Sequence, residues 1–512
     1  MRNPFARNSG YGEPALAAAT FVIGIGVMAV EITASRLLAP YFGASMFVWT
    51  SLIVTVLVAL AAGYHLGGKM ASKGAGVEMV GFLSCGAAAC LVVGMMIIPS
   101  FSSAISGMLA GLSSASITLF LGSLAVTAIV FALPVFLLAM SGPILLKEWS
   151  ALGDVGAIAG RYFAVSTVGS VVGTVAPTLF LVPAIGARGT MFATAAMFLA
   201  LGVALSRRWR GLFASFVIAT AILPQAMPSR VPADVVMERE SPYQLIRVAE
   251  EGGRRFLIFN EGSGIQSVYS PGPERTGFYY DYMGIVPLMR PRTAGAPHHA
   301  LIVGLAGGTI AQRYSSLLGT DAGIELTGVE VDPAVIDTAR KYFGLDETGV
   351  HVVNEDGRTF IRSTRDTYDA IIVDAYSTQL YIPPHLATRE FFSSAKEKLS
   401  AGGVFAMNVN APDDGSRLLK ALTNTAASAF AHVVVVQVKD SWNHIVMASD
   451  SPIDAAGTAW RVPPGYEDIR DALTASRAVA YDPRAEIFTD DRAPVEFLTD
   501  SMVVAQALGR TR

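Results

Sequence analysis

Cysteine is nearly absent from these 512 residues: the chain has two, Cys85 and Cys90, both inside one apolar run. A disulfide-held secreted scaffold and a cysteine-based zinc site are thereby excluded. Histidine is sparse too. His65, His298, His299, His351, His385, His432 and His444 show no metal-ligating spacing such as HExxH, so no metal is expected. Charge is the third shortage, at 15% of residues against 52% hydrophobic, with a mean hydropathy of +0.46. That is too apolar for an ordinary soluble chain. The charges are also unevenly spread. Residues 1–228 hold 11 Lys/Arg and 5 Asp/Glu, and the remainder holds 27 and 36. A net-positive membrane half is therefore joined to a net-acidic soluble half, which disfavours intrinsic disorder and a basic nucleic-acid-binding domain.

Apolar runs long enough to span roughly 30 Å of hydrocarbon lie at about 15–39, 47–66, 79–99, 116–140, 160–184, 189–206 and 211–227. The first is too long for a cleavable signal peptide and is followed by further runs. Lys69, Lys73, Lys147, Arg207, Arg208 and Arg210 fall in alternate connections, which places them, with Arg2 and Arg7, on the cytoplasmic side. Glu31, Arg36 and Arg161 lie at membrane depth or its border, where an ionisable group costs about 3 kcal/mol unless paired; helix-fixing ion pairs are expected rather than a polar pathway. Gly24, Gly26, Gly63, Gly67, Gly169 and Gly173 suit close helix approach.

The soluble half begins after Pro224, Pro228 and Pro232 with a strand, a turn at Gly252-Gly253 and a second strand, predicting a small β subdomain. From His299 onward, buried strand patterns (ALIVGLA, IELTGVEVD, VHVVNED, YDAIIVDAY, GGVFAMNVN, HVVVVQV, HIVMASD) alternate with helical segments. This predicts a doubly wound, mostly parallel sheet, whose ligands bind at the carboxyl ends of strands. Four such ends carry suitable groups: the glycine turn Gly304–Thr309, Glu330-Val331-Asp332, Asn354-Glu355-Asp356-Gly357, and Asp374-Ala375-Tyr376. An acid singly is most often a helix N-cap, but four in register along one edge point to a ligand crevice. The order GLAGGT is not the GxGxxG that cradles a pyrophosphate. A nucleoside without phosphate fits better, as in the Rossmann-like folds that bind S-adenosylmethionine.

The ordered set Glu240-Ser-Pro-Tyr-Gln244, Gln266, Tyr279-Tyr280-Asp281, the Gly304 turn, VEVD at 329–332, EDG at 355–357 and YDAIIVD at 368–374 resembles spermidine synthases and related aminopropyltransferases. Residues 31–50 and Thr489–Pro494 look like the membrane-integrated bacterial branch of that family. The resemblance implies that Gln244, Gln266 and Tyr279 line the sulfonium and aminopropyl part of the nucleotide. It implies Glu330 for the ribose, Asp356 and Gly357 for the adenine, and Asp374 as the catalytic acid that takes a proton from an attacking amine; Gly304, Gly307, Asp332 and Tyr376 are further candidate ligand-binding positions at the strand ends. No metal or cofactor is implied. The family's acid inside the glycine turn is replaced by Gly307, and its second acid, three residues after the catalytic one, by Ser377.

The expected organisation is a transmembrane helical domain over 1–228, a linker and small β subdomain over 229–298, and a Rossmann-like catalytic domain over 299–512. Two enzyme readings follow. One is aminopropyl transfer from decarboxylated S-adenosylmethionine to an amine such as putrescine, with Glu261, Asp281, Asp490 or Asp491 as replacement anchors. The other is a lyase that converts S-adenosylmethionine to methylthioadenosine and homoserine lactone. A membrane carrier or receptor with a nucleotide-sensing domain is a third reading. The expected surroundings are the inner-membrane bilayer and small-molecule substrates, with no nucleic acid and with self-association left open. The nucleotide assigns the catalytic domain to the cytoplasmic side, although seven runs counted from a cytoplasmic start end on the other side.

Overall fold

The computed structural model describes residues 11–42, 46–109, 115–206, 234–260, 264–272, 275–289, 298–318, 323–376 and 380–507. The chain divides into two compact units, Met1–Val231 with Arg239–Gln244, and Pro232–Glu238 with Leu245–Arg512.

The first unit is helical: α1 (Glu13–Phe42), α2 (Met46–Ser72), α3 (Val77–Leu109), α4 (Ala115–Thr127), α5 (Leu133–Ser150), α6 (Val155–Ala176) and α7 (Val182–Leu205). Five helical stretches among the described residues are long and apolar enough to cross a membrane. One of them runs from α4 into α5 through a π turn, Ala128–Ala132. Another, Val155–Leu205, is 51 residues long and holds two of the expected runs. They are separated at Gly186, whose φ of 73° and ψ of 167° break the helix. The seven-run expectation thus corresponds to five apolar stretches with six arms, and the run at 211–227 lies outside the described residues.

Close approach sets the packing of this unit. A Cβ on Gly24 would meet the Ser166 carbonyl oxygen at 2.4 Å, and one on Gly173 would meet that of Ile25 at 2.0 Å. α1 and α6 therefore touch backbone to backbone, the arrangement that small residues permit in lipid. Arg161 pairs with Glu13 at 2.7 Å, as an ion pair fixing these two helices would. Glu31 makes no hydrogen bond or ion pair among the described residues, so the expected partner for it is not found there.

The second unit opens with a four-stranded sheet in the order β1 (Val235–Glu240), β2 (Leu245–Glu251), β3 (Arg254–Phe259), β4 (Ile265–Tyr269). The β2–β3 hairpin turns at Gly252-Gly253, both with positive φ, as the sequence pattern predicts. The main sheet has eight strands. They are β5 (His298–Val303), β6 (Ile324–Glu330), β7 (His351–Asn354), β8 (Tyr368–Val373), β9 (Leu399–Asn410), β10 (His432–Gln437), β11 (Asn443–Ser449) and β12 (Arg477–Val479). The spatial order is β12-β10-β11-β9-β8-β5-β6-β7. Strands β5 to β9 pair in parallel, whereas β10, β11 and β12 are antiparallel, so the sheet is mixed. Its two faces carry separate apolar layers, one with Ile302, Ile372 and Ala406, the other with Leu301, Ile371 and Phe405, because successive side chains alternate across a strand. β5 lies between β8 and β6, which brings the three strand ends into one row.

Gly173→Leu tests the close contact of α1 and α6: overpacking there should cost about 1–3 kcal/mol. The apparent melting temperature in detergent should fall, whereas Gly68→Ala, which meets nothing within 4 Å, should not lower it.

Candidate active site

The row begins with the turn after β5. Gly304 has φ 86°, and a Cβ there would stand 2.5 Å from the backbone oxygen of Asp374. Only glycine lets β5 turn so close to the end of β8. The turn is stapled from two sides: Ser267 Oγ on β4 accepts the Gly307 N–H at 2.8 Å, and Glu330 Oε2 accepts the Ala306 N–H at 3.0 Å. Gly307 has no room for a side chain, since a Cβ would meet that of Ser267 at 2.6 Å.

Asp374, immediately after β8, is held on both oxygens. The Tyr279 hydroxyl donates to Oδ2 at 2.8 Å and the Asn408 amide to Oδ1 at 3.0 Å. Burial pushes its pKa up to about 6, with the Asn408 and Tyr279 hydrogen bonds opposing the rise. Behind it runs an amide chain: Asn443 Nδ2 donates to Asn408 Oδ1 and to Asn410 Oδ1, each at 3.0 Å. Tyr376 donates to the Asn408 backbone carbonyl at 2.9 Å, and Tyr279 stacks on Tyr280 with ring centroids 4.2 Å apart. Asp374 is thus a carboxylate with an elevated proton affinity in a shell of neutral hydrogen-bonding groups.

Glu330, at the end of β6, is buried, which raises its pKa, while the Asp332 and Ala306 amides work the other way. Its Oε1 accepts from the Asp332 N–H at 3.1 Å. Asp332 is buried and caps the helix Pro333–Tyr342 through Ala334 N at 2.9 Å. Capping therefore accounts for Asp332, and the ribose assignment rests on Glu330 alone of this pair. Asp356 caps the helix Gly357–Ser363 with Oδ1, on Thr359 N at 2.9 Å, and its Oδ2 meets His385 Nε2 at 3.1 Å. Burial opposes ionisation of Asp356, but the Thr359 amide and His385 hold its pKa below the ordinary value. A Cβ on Gly357 would meet Val303 at 2.3 Å, so this helix start lies directly against the end of β5.

The row thus brings together Gly304, Gly307, Glu330, Asp356, Gly357, Asp374, Tyr279 and Tyr376. Gln266 lies on β4 next to Ser267. Gln244 lies in Arg239–Gln244, the segment grouped with the helical unit, where the Gln244 N–H donates to Ser241 Oγ at 3.0 Å. Of the replacement anchors, Asp281 is already engaged by the Thr276 and Gly277 amides at 3.1 and 3.0 Å and by Arg275 at 3.6 Å. Asp490 is clamped by both Nη atoms of Arg358 at 2.8 and 2.6 Å. Asp491 is exposed, and Glu261 and Ser377 lie outside the described residues. Asn408, Ser267 and His385 escaped sequence reasoning. The alternation in VFAMNVN could have indicated Asn408, since a polar residue at a buried strand position needs a partner.

A spermine/spermidine synthase domain matches residues 278–442, a span that includes Tyr279, the Gly304 turn, Asp374 and Asn408. A probable polyamine aminopropyl transferase of Bifidobacterium longum is 30% identical over 304 residues, 55% of this chain and 66% of that protein. The polyamine aminopropyltransferase of Vibrio vulnificus is 29% identical over 224 residues, 42% of this chain and 71% of that one. A probable spermidine synthase structure from Corynebacterium glutamicum aligns with a TM-score of 0.40 and 18% identity over 50% of this chain and 96% of that one. The chain spans about two thirds of the length of these curated relatives. The second unit is thus an α/β fold whose strand ends present the partly buried Asp374 carboxylate beside the Gly304 turn. The chain belongs to the spermine/spermidine synthase family.

Tyr279→Phe removes one of the two hydrogen bonds that oppose burial at Asp374, so its titration should move upward by about one pH unit. Infrared titration of the carboxyl band reads this directly, and an unmoved band would mean that the hydroxyl does not act on the carboxylate.

Proposed function

We propose that the α/β unit transfers an aminopropyl group from decarboxylated S-adenosylmethionine to an amine and releases methylthioadenosine, and that the helical unit anchors it in a bilayer. The carrying observation is Asp374, partly buried beside the Gly304 turn and fixed between Tyr279 and Asn408. In this reading Glu330 takes the ribose hydroxyls, Asp356 and Gly357 take the adenine, and Gln266 and Tyr279 border the sulfonium. Gln244 remains a proposed contact on sequence grounds. The amine nitrogen attacks the carbon next to sulfur, the C–S bond breaks with its electron pair passing to sulfur, and the proton lost by nitrogen goes to Asp374. The sulfonium is already a good leaving group, so the chain supplies orientation and a proton acceptor. None of these steps calls for a metal.

A second reading, the lyase, is favoured by one observation: Asp281 and Asp490, two of the carboxylates offered as anchors for a polyammonium acceptor, are already engaged, the first by the Thr276 and Gly277 amides and Arg275, the second by Arg358. Each buried ammonium of an acceptor needs a carboxylate partner of its own. In the lyase the substrate's own carboxylate attacks the carbon next to sulfur, and no acceptor has to be held.

Incubation of the purified protein with S-adenosylmethionine or its decarboxylated form, each with and without putrescine, separates the two. Product formation only from the decarboxylated nucleoside plus amine supports transfer. Methylthioadenosine from S-adenosylmethionine alone supports the lyase.

Proton acceptance needs ionised Asp374, so turnover should fall about tenfold per pH unit as pH drops below about 6, the value to which burial raises this group. Asp374→Asn should lower kcat by about 10²–10⁴ and abolish that acidic limb. A retained limb in the variant would assign it to another group.

A further inference from the structure

The helical unit has two distinguishable ends. At one end the Tyr11 hydroxyl donates to the Leu205 carbonyl at 2.8 Å, Arg161 pairs with Glu13 at 2.7 Å, and the Lys147 ammonium donates to the Ala71 carbonyl. The starts of α1 and α6 are thereby gathered with the finishes of α2, α5 and α7. The start of α3 joins them, since a Cβ on Gly81 would lie 3.2 Å from the Gly202 carbonyl oxygen.

The segment Arg239–Gln244, which belongs to the same compact unit, sits at the other end. Arg36, near the finish of α1, donates to the Tyr243 carbonyl at 2.8 Å and to that of Pro242. Glu240 Oε2 accepts the Ala187 N–H at 2.6 Å, next to the break at Gly186 near the start of α7. Ala187 and Leu205 lie 18 residues apart on α7. At the rise of a helix this is about 27 Å, close to the thickness of a hydrocarbon core. Leu205 and Glu240 are therefore at opposite ends of the bundle, and the chain joining them has to pass from one end to the other. In sequence that connection is Arg207, Arg208 and Arg210, then the apolar run 211–227, then Pro228 and Pro232. Seventeen residues of helix would cover about 26 Å, so the run is long enough for the passage.

We infer that the chain crosses the bilayer an odd number of times, so that the α/β unit lies on the opposite face of the membrane from the start of α1. Lys69, Lys73 and Lys147 belong to the Glu13 end, and in sequence Arg207, Arg208 and Arg210 follow closely on Leu205, so the positive-inside rule assigns that end to the cytoplasm. The α/β unit then faces away from the cytoplasm. This replaces the cytoplasmic placement expected from the nucleotide, and the site draws its nucleoside and its amine from the extracytoplasmic compartment. The inference rests on the membrane anchoring proposed above.

The test uses the full-length chain in its membrane, with Cys85→Ala and Cys90→Ala removing background thiols. Ser72→Cys reports the Glu13 end and Ser363→Cys reports the α/β unit, both exposed positions with a near-isosteric change. A membrane-impermeant maleimide is applied to spheroplasts before and after permeabilisation. Ser363→Cys should label at least tenfold more than Ser72→Cys in intact spheroplasts, with the two equal after permeabilisation. Equal labelling of the intact cells, or preferential labelling of Ser72→Cys, overturns the inference. Lys73→Cys and Thr367→Cys serve as a second pair if either variant fails to accumulate. Alkaline extraction of the membranes tests the anchoring separately: release of the chain from the pellet overturns the membrane reading itself.

Discussion

The contact that the catalytic unit depends on is the approach of Gly304 to the backbone of Asp374. Strand β5 must end in a left-handed turn while β8 ends beside it, and a methyl group on Gly304 would stand only 2.5 Å from the Asp374 backbone oxygen. Because β6 and β8 flank β5 in parallel register, the closeness propagates sideways. Glu330 reaches the Ala306 amide, Asp356 starts its helix against Val303, and Asp374 emerges where Tyr279 can meet it. Four sequence-distant groups share one crevice because one residue lacks a side chain.

The electrostatics follow from the same closeness. Asp374 is raised by burial, yet its two hydrogen bonds come from a phenol and an amide, which stabilise the carboxylate without contributing positive charge. An arginine or lysine in either place would pull the pKa down and weaken the group as a base near neutral pH. Elsewhere in the unit the opposite choice is made. Asp281 and Asp468 share Arg275, and Asp490 pairs with Arg358, so in each cluster the carboxylates face a guanidinium. The reactive acid and the structural acids are thus told apart by their partners rather than by their burial.

Much of this architecture was legible in local pattern. Seven strands of the main sheet announced themselves as short apolar or β-rich runs, and the acids at 330, 356 and 374 followed from where those runs stop. The rest lay in pairings that no local pattern carries. β12 is three residues long and partly exposed, with no periodicity to read. Asn443 meets Asn408 only because β11 folds back antiparallel on β9. Asp332 and Asp356 look alike in sequence, each an acid just before a helix. Asp332 is buried on the helix start it caps, whereas Asp356 keeps one oxygen for His385 from a distant loop. In the helical half, composition reported apolar length faithfully but could not say that Arg36 would find carbonyl partners more than two hundred residues away.

That last contact bears on the charge asymmetry between the two halves. A basic, sparsely charged bundle followed by an acidic domain reads at first as a cytoplasmic enzyme on a membrane anchor, since both nucleosides and basic loops belong inside. The two criteria cannot both hold when the chain leaves the bundle from the end opposite its basic loops. Of the two, loop charge acts on the chain as it inserts, whereas substrate location acts only through what the compartment supplies. The groups that touch Asp374 itself, a phenol and an amide, are neutral and make few electrostatic demands on an acceptor. The site is therefore suited to whatever small amine the compartment holds, and compartment, more than side-chain charge, would set what is aminopropylated.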